Sequence, residues 1–177
     1  MKVLDLGGTP SYWAAAPQRP AHVTVVNLGF SSADAEVPGV TRVLSDACEF
    51  GGADTFDLVV SNSVLEHVGG HYRRRQLAEV CLTSARRVWV QTPYRYFPVE
   101  PHWVAPGIQF LPTALRVGAA QWWPMGHMKA EDEEGVVRGV LETELVSITE
   151  MRYLFPDCEI RYERFAGLVK SLLAVRT

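Results

Sequence analysis

The apolar positions of this chain fall into short blocks separated by glycine, proline and charged residues. Five blocks in the first half read as strands: Lys2–Leu6 (KVLDL), His22–Leu28 (HVTVVNL), Thr41–Ala47 (TRVLSDA), Phe56–Ser63 (FDLVVSNS) and Arg87–Pro93 (RVWVQTP). Continuous rather than alternating apolar runs, as in Phe56–Ser63, suit parallel strands covered on both faces. After Gly69-Gly70, the residues Leu77, Val80, Cys81 and Ala85 share one helical face, which predicts a helix between the fourth and fifth strands. A brief helix is expected over Tyr12–Ala16, stopped by Pro17 and Pro20. Another is expected over Thr113–Trp123, and Lys129–Gly135 (KAEDEEG) reads as a solvated loop or helix end. Ser147 and Glu150 have the spacing of a capping box and open a helix that ends at Pro156. Cys158–Phe165 and Lys170–Thr177 read as two closing strands. Strands that alternate with helical connections, followed by two strands, predict an α/β sheet with a parallel body and an antiparallel edge. Residues 1–177 read as one domain, with a loop and helical insertion over residues 94–146.

Composition narrows the possible classes. The chain has 177 residues, long enough for a sizeable core, and its net charge of −3 speaks against a surface that tracks phosphates. Nucleic acid is therefore not an expected partner. The one basic run, Arg73-Arg74-Arg75, reads as a solvated helix face. Three widely spaced cysteines with no CxxC pair argue against a disulfide framework or a structural zinc site and suit a reducing compartment. No apolar stretch approaches the ~20 residues of a membrane span, and Lys2 and Asp5 interrupt any signal-peptide core. A cytoplasmic location without a membrane partner is expected.

The first strand ends in Gly7-Gly8-Thr9, at the carboxyl edge where open α/β sheets bind ligands. A phosphate loop needs a following Lys-Ser/Thr, which is missing. A dinucleotide fingerprint needs G-x-G-x-x-G and a carboxylate about 20 residues on; here the run is Gly7-Gly8-Thr9-Pro10-Ser11-Tyr12, and Asn27 ends the second strand. Asp5, two residues before the first glycine, can hold loop amides or pair with a cationic amino group. S-adenosylmethionine carries such a group and no phosphate, so it fits this turn better; a plain tight turn is the structural alternative. Asp46, ending the third strand, is placed to reach an adenine amino group, with a capping role as the alternative. Cys48 would lie beside the base or serve as a buried thiol. Ser61, Asn62 and Ser63 would floor the same crevice.

The segments VLDLGGT, FDLVVSNSVLEHV, QTPYRYFPVEPHW and ERFAGLVKSLLAVR, taken in order, resemble the class I S-adenosylmethionine-dependent methyltransferases, and most of all the bacterial type 11 methyltransferase-domain subgroup. The resemblance runs from Val3 to Arg176. It implies a Rossmann-like, seven-stranded, mostly parallel sheet of order 3-2-1-4-5-7-6, with the last strand antiparallel and helices on both faces. It also implies cofactor contacts at Asp5, Gly7, Gly8, Asn27, Leu28, Asp46, Ala47 and Asn62, to which Thr9, Cys48 and Ser63 are added as neighbours in the same turns. S-adenosylmethionine is the implied cofactor and S-adenosylhomocysteine its product. Two departures stand out. Asn27 occupies the place of an acid that binds the ribose hydroxyls, and the family's usual lid helices do not precede the first motif in the given sequence, so either its start is truncated or misassigned, or another subunit or an internal segment is expected to close the site.

A hydroxyl acceptor has to lose its proton, and His102 in EPHW is the first candidate for the base. Glu100 would orient it, and His67 in LEHV is a second candidate. The structural alternative is that these residues pin their loops together. Glu66, His67, Glu100 and His102 would make a metal site only if the two loops converged; they have no short metal-ligand spacing, so no metal is expected. Tyr94, Tyr96, Phe97, Trp103, Trp122 and Trp123 either wall an acceptor pocket or pack the core. His127 and Met128 carry no assignment. The resemblance thus implies an O-methyltransferase acting on a small molecule or glycan, with a homodimer as one possible assembly. A catalytically inactive accessory protein of the same fold is the alternative, and the broken fingerprint disfavours a nicotinamide dehydrogenase.

Overall fold

A computed structural model describes residues 1–31, 36–51, 55–123 and 133–177. Among the described residues, nine strands and five α-helices follow in chain order: β1 (Lys2–Leu6), α1 (Pro10–Ala14), β2 (His22–Asn27), β3 (Val40–Leu44), β4 (Phe56–Asn62), α2 (Gly70–Ser84), β5 (Ala85–Pro93), β6 (Val99–Glu100), β7 (Ala105–Pro106), α3 (Thr113–Trp122), α4 (Glu133–Glu142), α5 (Ile148–Leu154), β8 (Glu159–Phe165) and β9 (Leu168–Arg176). Seven strands form one sheet of order β3-β2-β1-β4-β5-β9-β8. The pairs from β3 through β5 are parallel, and β9 runs antiparallel between β5 and β8. The expected order 3-2-1-4-5-7-6 is therefore present, since β6 and β7 form a separate two-stranded hairpin within the loop after β5.

Both faces of the central strands are buried, which is why their sequences do not alternate. On β1, Leu4 and Leu6 join a core with Val59, Val88, Leu77, Cys81, Met151 and Leu172, beneath α2 and α5. Val3 turns to the other face with Val23, Val25, Val60 and Trp13 of α1. There, beside α1, a cavity of about 660 Å³ opens over Leu58, Val60 and Trp89. A third cluster, Trp103, Ala105, Ile108, Ala120 and Val140, ties the hairpin to α3 and α4. No helix among the described residues is long and apolar enough to cross a membrane. All three cysteines are free thiols.

Several local expectations change. The short first helix starts at Pro10 rather than Tyr12, because a proline at the first turn gives up only an N–H that has no helical partner. β3 stops at Leu44, so Asp46 and Ala47 lie in the following turn. Ala85 opens β5 and is not part of the α2 face, where Ala78 and Ser84 are buried instead. Residues 124–132, with His127, Met128 and the first four residues of the expected solvated segment Lys129–Gly135, lie outside the described residues; the rest of that segment opens α4, which begins at Glu133. The turn between β8 and β9 is Ala166-Gly167, both at positive φ (48° and 84°), the backbone of a two-residue hairpin turn that follows strand twist.

Of the basic run, Arg75 is exposed as a solvated face would be, but Arg73 and Arg74 are not. Arg74 is buried, and its guanidinium donates to the Leu65 carbonyl (3.3 Å), to Glu150 Oε1 (2.7 Å), and to the Glu144 carbonyl and Oε2 (both 2.8 Å). It thereby joins α2 to α5 and to the segment before it. Ser147 caps α5 by accepting the Glu150 N–H, while the Glu150 side chain turns to Arg74 rather than back to the cap. Arg74→Ala leaves a partly buried carboxylate and a carbonyl without their donor. It is expected to cost about 3 kcal/mol, read as a lower urea midpoint with an unchanged slope; an unchanged midpoint contradicts this role.

Candidate active site

β1 ends in Gly7, at φ 83°, whose N–H donates to the Val26 carbonyl at 2.8 Å. A Cβ at Gly7 would stand 2.5 Å from a Val64 methyl, so glycine is needed for both conformation and space. At Gly8 a Cβ would stand 1.8 Å from Asp5 Oδ2. The Asp5 carboxylate thus lies under the turn, only 2 % exposed, and accepts the Trp13 indole N–H at 2.7 Å. Asn27, at the tip of β2, donates from Nδ2 to the carbonyls of Gly7 (3.2 Å) and Gly8 (2.9 Å), and its Oδ1 accepts the Gly29 N–H at 3.4 Å.

Above this turn lies a cavity of about 270 Å³ lined by Gly7, Asn27, Leu28, Asp46, Ala47, Ser63, Val64, His67, Val68 and Arg73. It spans the tips of β1, β2, β3 and β4. Six of the eleven residues expected to hold a cofactor line it: Gly7, Asn27, Leu28, Asp46, Ala47 and Ser63. The other five do not. Asp5 and Gly8 shape the turn from beneath; Thr9 bonds the Ser11 hydroxyl; Cys48 is buried, donating its N–H to Asp46 Oδ1 and its thiol to the Arg73 carbonyl; Asn62 is exposed at the end of β4. Val64, Val68 and Arg73 also line the cavity and were not read from the sequence. Arg73 pairs with Asp46 and, at 3.3 Å, with Glu49. Burial opposes the charge on Asp46, but the Cys48 N–H and the Arg73 guanidinium hold its carboxyl below the usual range.

On the far side of the cavity, residues 66–67 and 100–102 converge. Glu100 is buried; its Oε1 accepts His102 Nδ1–H at 2.7 Å and its Oε2 accepts the Trp103 N–H at 2.7 Å. His102 Nε2 meets His67 Nε2 at 3.0 Å, with the rings edge-on. Glu66 is buried and its Oε2 accepts the Thr92 hydroxyl at 2.9 Å. Burial works against a charge on His102, but Glu100, with Glu66 behind it, raises its pKa above the ordinary histidine value. His67 is pushed down to about 4 by desolvation and by the facing His102. The three expected catalytic residues, His102, Glu100 and His67, therefore form one connected chain, and of these only His67 lines the cavity. Of the aromatic candidates, Trp103 is core, Trp122 is 88 % exposed, and Tyr96 stands between Tyr94 and Phe110.

No protein-family model and no curated protein matches the chain. Solved structures do match. A putative S-adenosylmethionine-dependent methyltransferase from Listeria monocytogenes aligns over 99 % of this chain and 91 % of its own at 12 % identity, TM-score 0.59. The N-methyltransferase NodS from Bradyrhizobium japonicum, in complex with S-adenosylhomocysteine, aligns over 99 % and 76 % at 14 % identity, TM-score 0.56. A structure from Rhodobacter sphaeroides named for putative zinc-dependent alcohol dehydrogenases aligns over 99 % and 84 % at 14 % identity, TM-score 0.63. The sheet separates these names. A dinucleotide-binding sheet runs 3-2-1-4-5-6, whereas here the antiparallel β9 stands between β5 and β8. The chain has the class I methyltransferase fold.

Within this methyltransferase fold Asp5 is a structural carboxylate rather than a lining group. Burial raises its pKa from 3.8 to about 6, and the Trp13 N–H offsets this only in part. A folded pKa above the unfolded one means that protonation favours the fold. The penalty is absent below the unfolded pKa and complete above about pH 6, where it reaches on the order of 3 kcal/mol. Asp5→Asn keeps an acceptor for Trp13 and removes the charge. It is expected to raise the urea midpoint at pH 8 and to lose that advantage near pH 4. Equal midpoint shifts at the two pH values contradict this assignment.

Proposed function

We propose that the chain is an S-adenosylmethionine-dependent methyltransferase that methylates a hydroxyl of a small molecule or glycan. The observation that carries this reading is the cavity over Gly7, open at the strand tips and bordered on its far side by the His67–His102–Glu100 chain. Among the described residues that line it, the one arginine or lysine is Arg73, which is committed to Asp46 and Glu49 rather than left for a pyrophosphate. Structural neighbours named for methyl transfer in general, not for one acceptor, support the methyltransferase part of the reading. They include NodS, a putative O-methyltransferase from Nostoc punctiforme (TM-score 0.58, 14 % identity, 99 % of this chain and 51 % of that one), and the magnesium protoporphyrin IX methyltransferase of Synechocystis with bound S-adenosylmethionine (TM-score 0.50, 12 % identity, 99 % and 69 %).

Bound S-adenosylmethionine would supply a methyl group already activated by its sulfonium for transfer to the acceptor oxygen. The protein's part is alignment, worth ~7–11 kcal/mol when reactants are held in line, and removal of the hydroxyl proton. Leu28, Ala47 and Val68 offer an apolar bed for an adenosine, and Asp46 accepts hydrogen bonds beside it. We assign the proton to His102, whose affinity for it Glu100 raises. His67, kept neutral, lies between His102 and the cavity. Asn27 retains acceptor capacity on Oδ1 toward a ribose.

Calorimetry is expected to show one equivalent of S-adenosylhomocysteine bound; no heat at millimolar ligand contradicts the reading. In chelator-treated buffer, His102→Ala is expected to slow transfer by ~10²–10⁴-fold with cofactor affinity unchanged, and Glu100→Gln by a smaller factor; an unaltered rate removes His102 as the base. A second reading, an accessory protein without turnover, draws on the cavity volume, which lies just below the ~300–1,000 Å³ usual for ligand pockets. Cofactor binding without turnover on any hydroxylated acceptor, together with a stable complex with an active partner, would favour it.

A further inference from the structure

Glu66 and His67 are adjacent in sequence, and His102 follows His67 by 35 residues, a spacing that gives no metal signal. The fold removes the separation. One ligand atom from each of Glu66, His67 and His102 lies within 4.8 Å of the others. Three features make this more than proximity. The two imidazoles face each other through Nε2 at 3.0 Å, an approach that needs one shared proton or a cation between two lone pairs. The other ring nitrogen of His102 is fixed as a donor by Glu100, itself held by the Trp103 N–H, so a neutral His102 presents its Nε2 lone pair toward His67. A carboxylate behind a histidine is the usual support of a metal-bound imidazole. Finally, Glu66 is 1 % exposed and its Oε1 finds no hydrogen-bond partner among the described residues, although its Oε2 takes the Thr92 hydroxyl. A buried carboxylate oxygen left unpaired is costly unless something else meets it.

We propose that Glu66, His67 and His102 bind one divalent cation of the zinc class, with Glu100 orienting His102. The donor set, two imidazoles and a carboxylate with room for water, is that of open zinc sites, and it disfavours magnesium and calcium, which prefer all-oxygen shells. Zinc–ligand distances of ~2.0–2.2 Å place tetrahedral ligands roughly 3.3–3.5 Å apart. The histidine pair, at 3.0 Å, need open only slightly, and no pair of ligand atoms, all within 4.8 Å, need close by more than about 1.5 Å. The open position faces solvent at His67, whose residue also lines the cavity over Gly7. This site goes beyond the methyl-transfer reading and stands without it. The two meet at one atom: His102 Nε2 cannot hold a cation and accept a proton together, so His102 serves as base only in the cation-free chain.

The test uses the whole chain, freed of metal by chelator, titrated with Zn²⁺ in a calorimeter and with Co²⁺ in the visible. One equivalent of Zn²⁺ is expected to bind and to raise the thermal midpoint, and Co²⁺ should give ligand-field bands without thiolate charge-transfer absorption. His67→Asn and His102→Gln are expected to weaken Zn²⁺ at least ~100-fold, and Glu100→Gln by ~10–100-fold. Glu66→Gln perturbs a buried group, so the two histidine variants, checked for native circular dichroism, decide the matter. The proposal is overturned by no uptake in the parent chain, by a thiolate-type cobalt spectrum, or by affinity unchanged in both histidine variants. Loss of zinc uptake with S-adenosylhomocysteine binding intact removes the cation site alone; the reverse result removes the methyltransferase reading alone.

Discussion

The Asn27 side-chain amide donates to two successive carbonyls of the glycine turn, and the candidate site depends on that clamp. The turn after β1 is short, because Pro10 starts α1 three residues after Gly7. It has little backbone with which to hold itself open. Asn27 Nδ2, bonded to Gly7 and Gly8, ties the tip of β1 to the tip of β2 and leaves the edge of Gly7 facing the cavity. A carboxylate there has no N–H to give and would repel both carbonyls. The amide in place of the acid expected from the methyltransferase resemblance therefore has a structural reason, separate from any contact with a ribose.

The other side of the crevice is built from buried polar groups that fix one another. Arg74 anchors the start of α2 to the Leu65 carbonyl, beside Glu66 and His67, and reaches across to α5. The Glu144 N–H meets the Glu66 carbonyl, so the segment before α5 packs on the same turn. Glu66 then meets Thr92 of β5, and Glu100 fixes the loop after β5 through Trp103 and His102. Two loops distant in sequence are thus brought together by interior hydrogen bonds, and the histidine pair stands where they meet. Interior polar groups satisfied in this way hold a unique arrangement, whereas an unpaired one is costly.

Much of this was legible in the sequence, for definite reasons. The strands of the parallel body were visible because burial on both faces writes unbroken apolar runs, as in Val3–Leu6 and Leu58–Val60. The cap of α5 was visible because Ser147 and Glu150 have the right spacing. Sequence also singled out His102, Glu100 and His67, which the fold brings into contact, and six of the residues that line the cavity. It failed where a side chain's direction decides its role. Asp5 looked like a ligand group but turns under Gly8 to Trp13. Arg73 and Arg74 looked like a solvated face, yet one pairs across the cavity rim and the other is buried in an ion-pair network. Nothing in a linear pattern shows that the loops at 66 and 102 touch, because their contact depends on Thr92 of β5 holding Glu66 and on Glu100 fixing the loop that carries His102.

The central claim is that an adenosyl sulfonium ligand lies across the tips of the first four strands with its sulfur end toward His67. A crystal structure of the chain grown with S-adenosylhomocysteine tests this most directly. The account predicts density for the adenosine over Leu28 and Ala47, the Asp46 carboxylate within hydrogen-bond reach of the base, and the sulfur on the His67 side of Gly7. Density elsewhere, or a crevice closed by the lining side chains at saturating ligand, would contradict it.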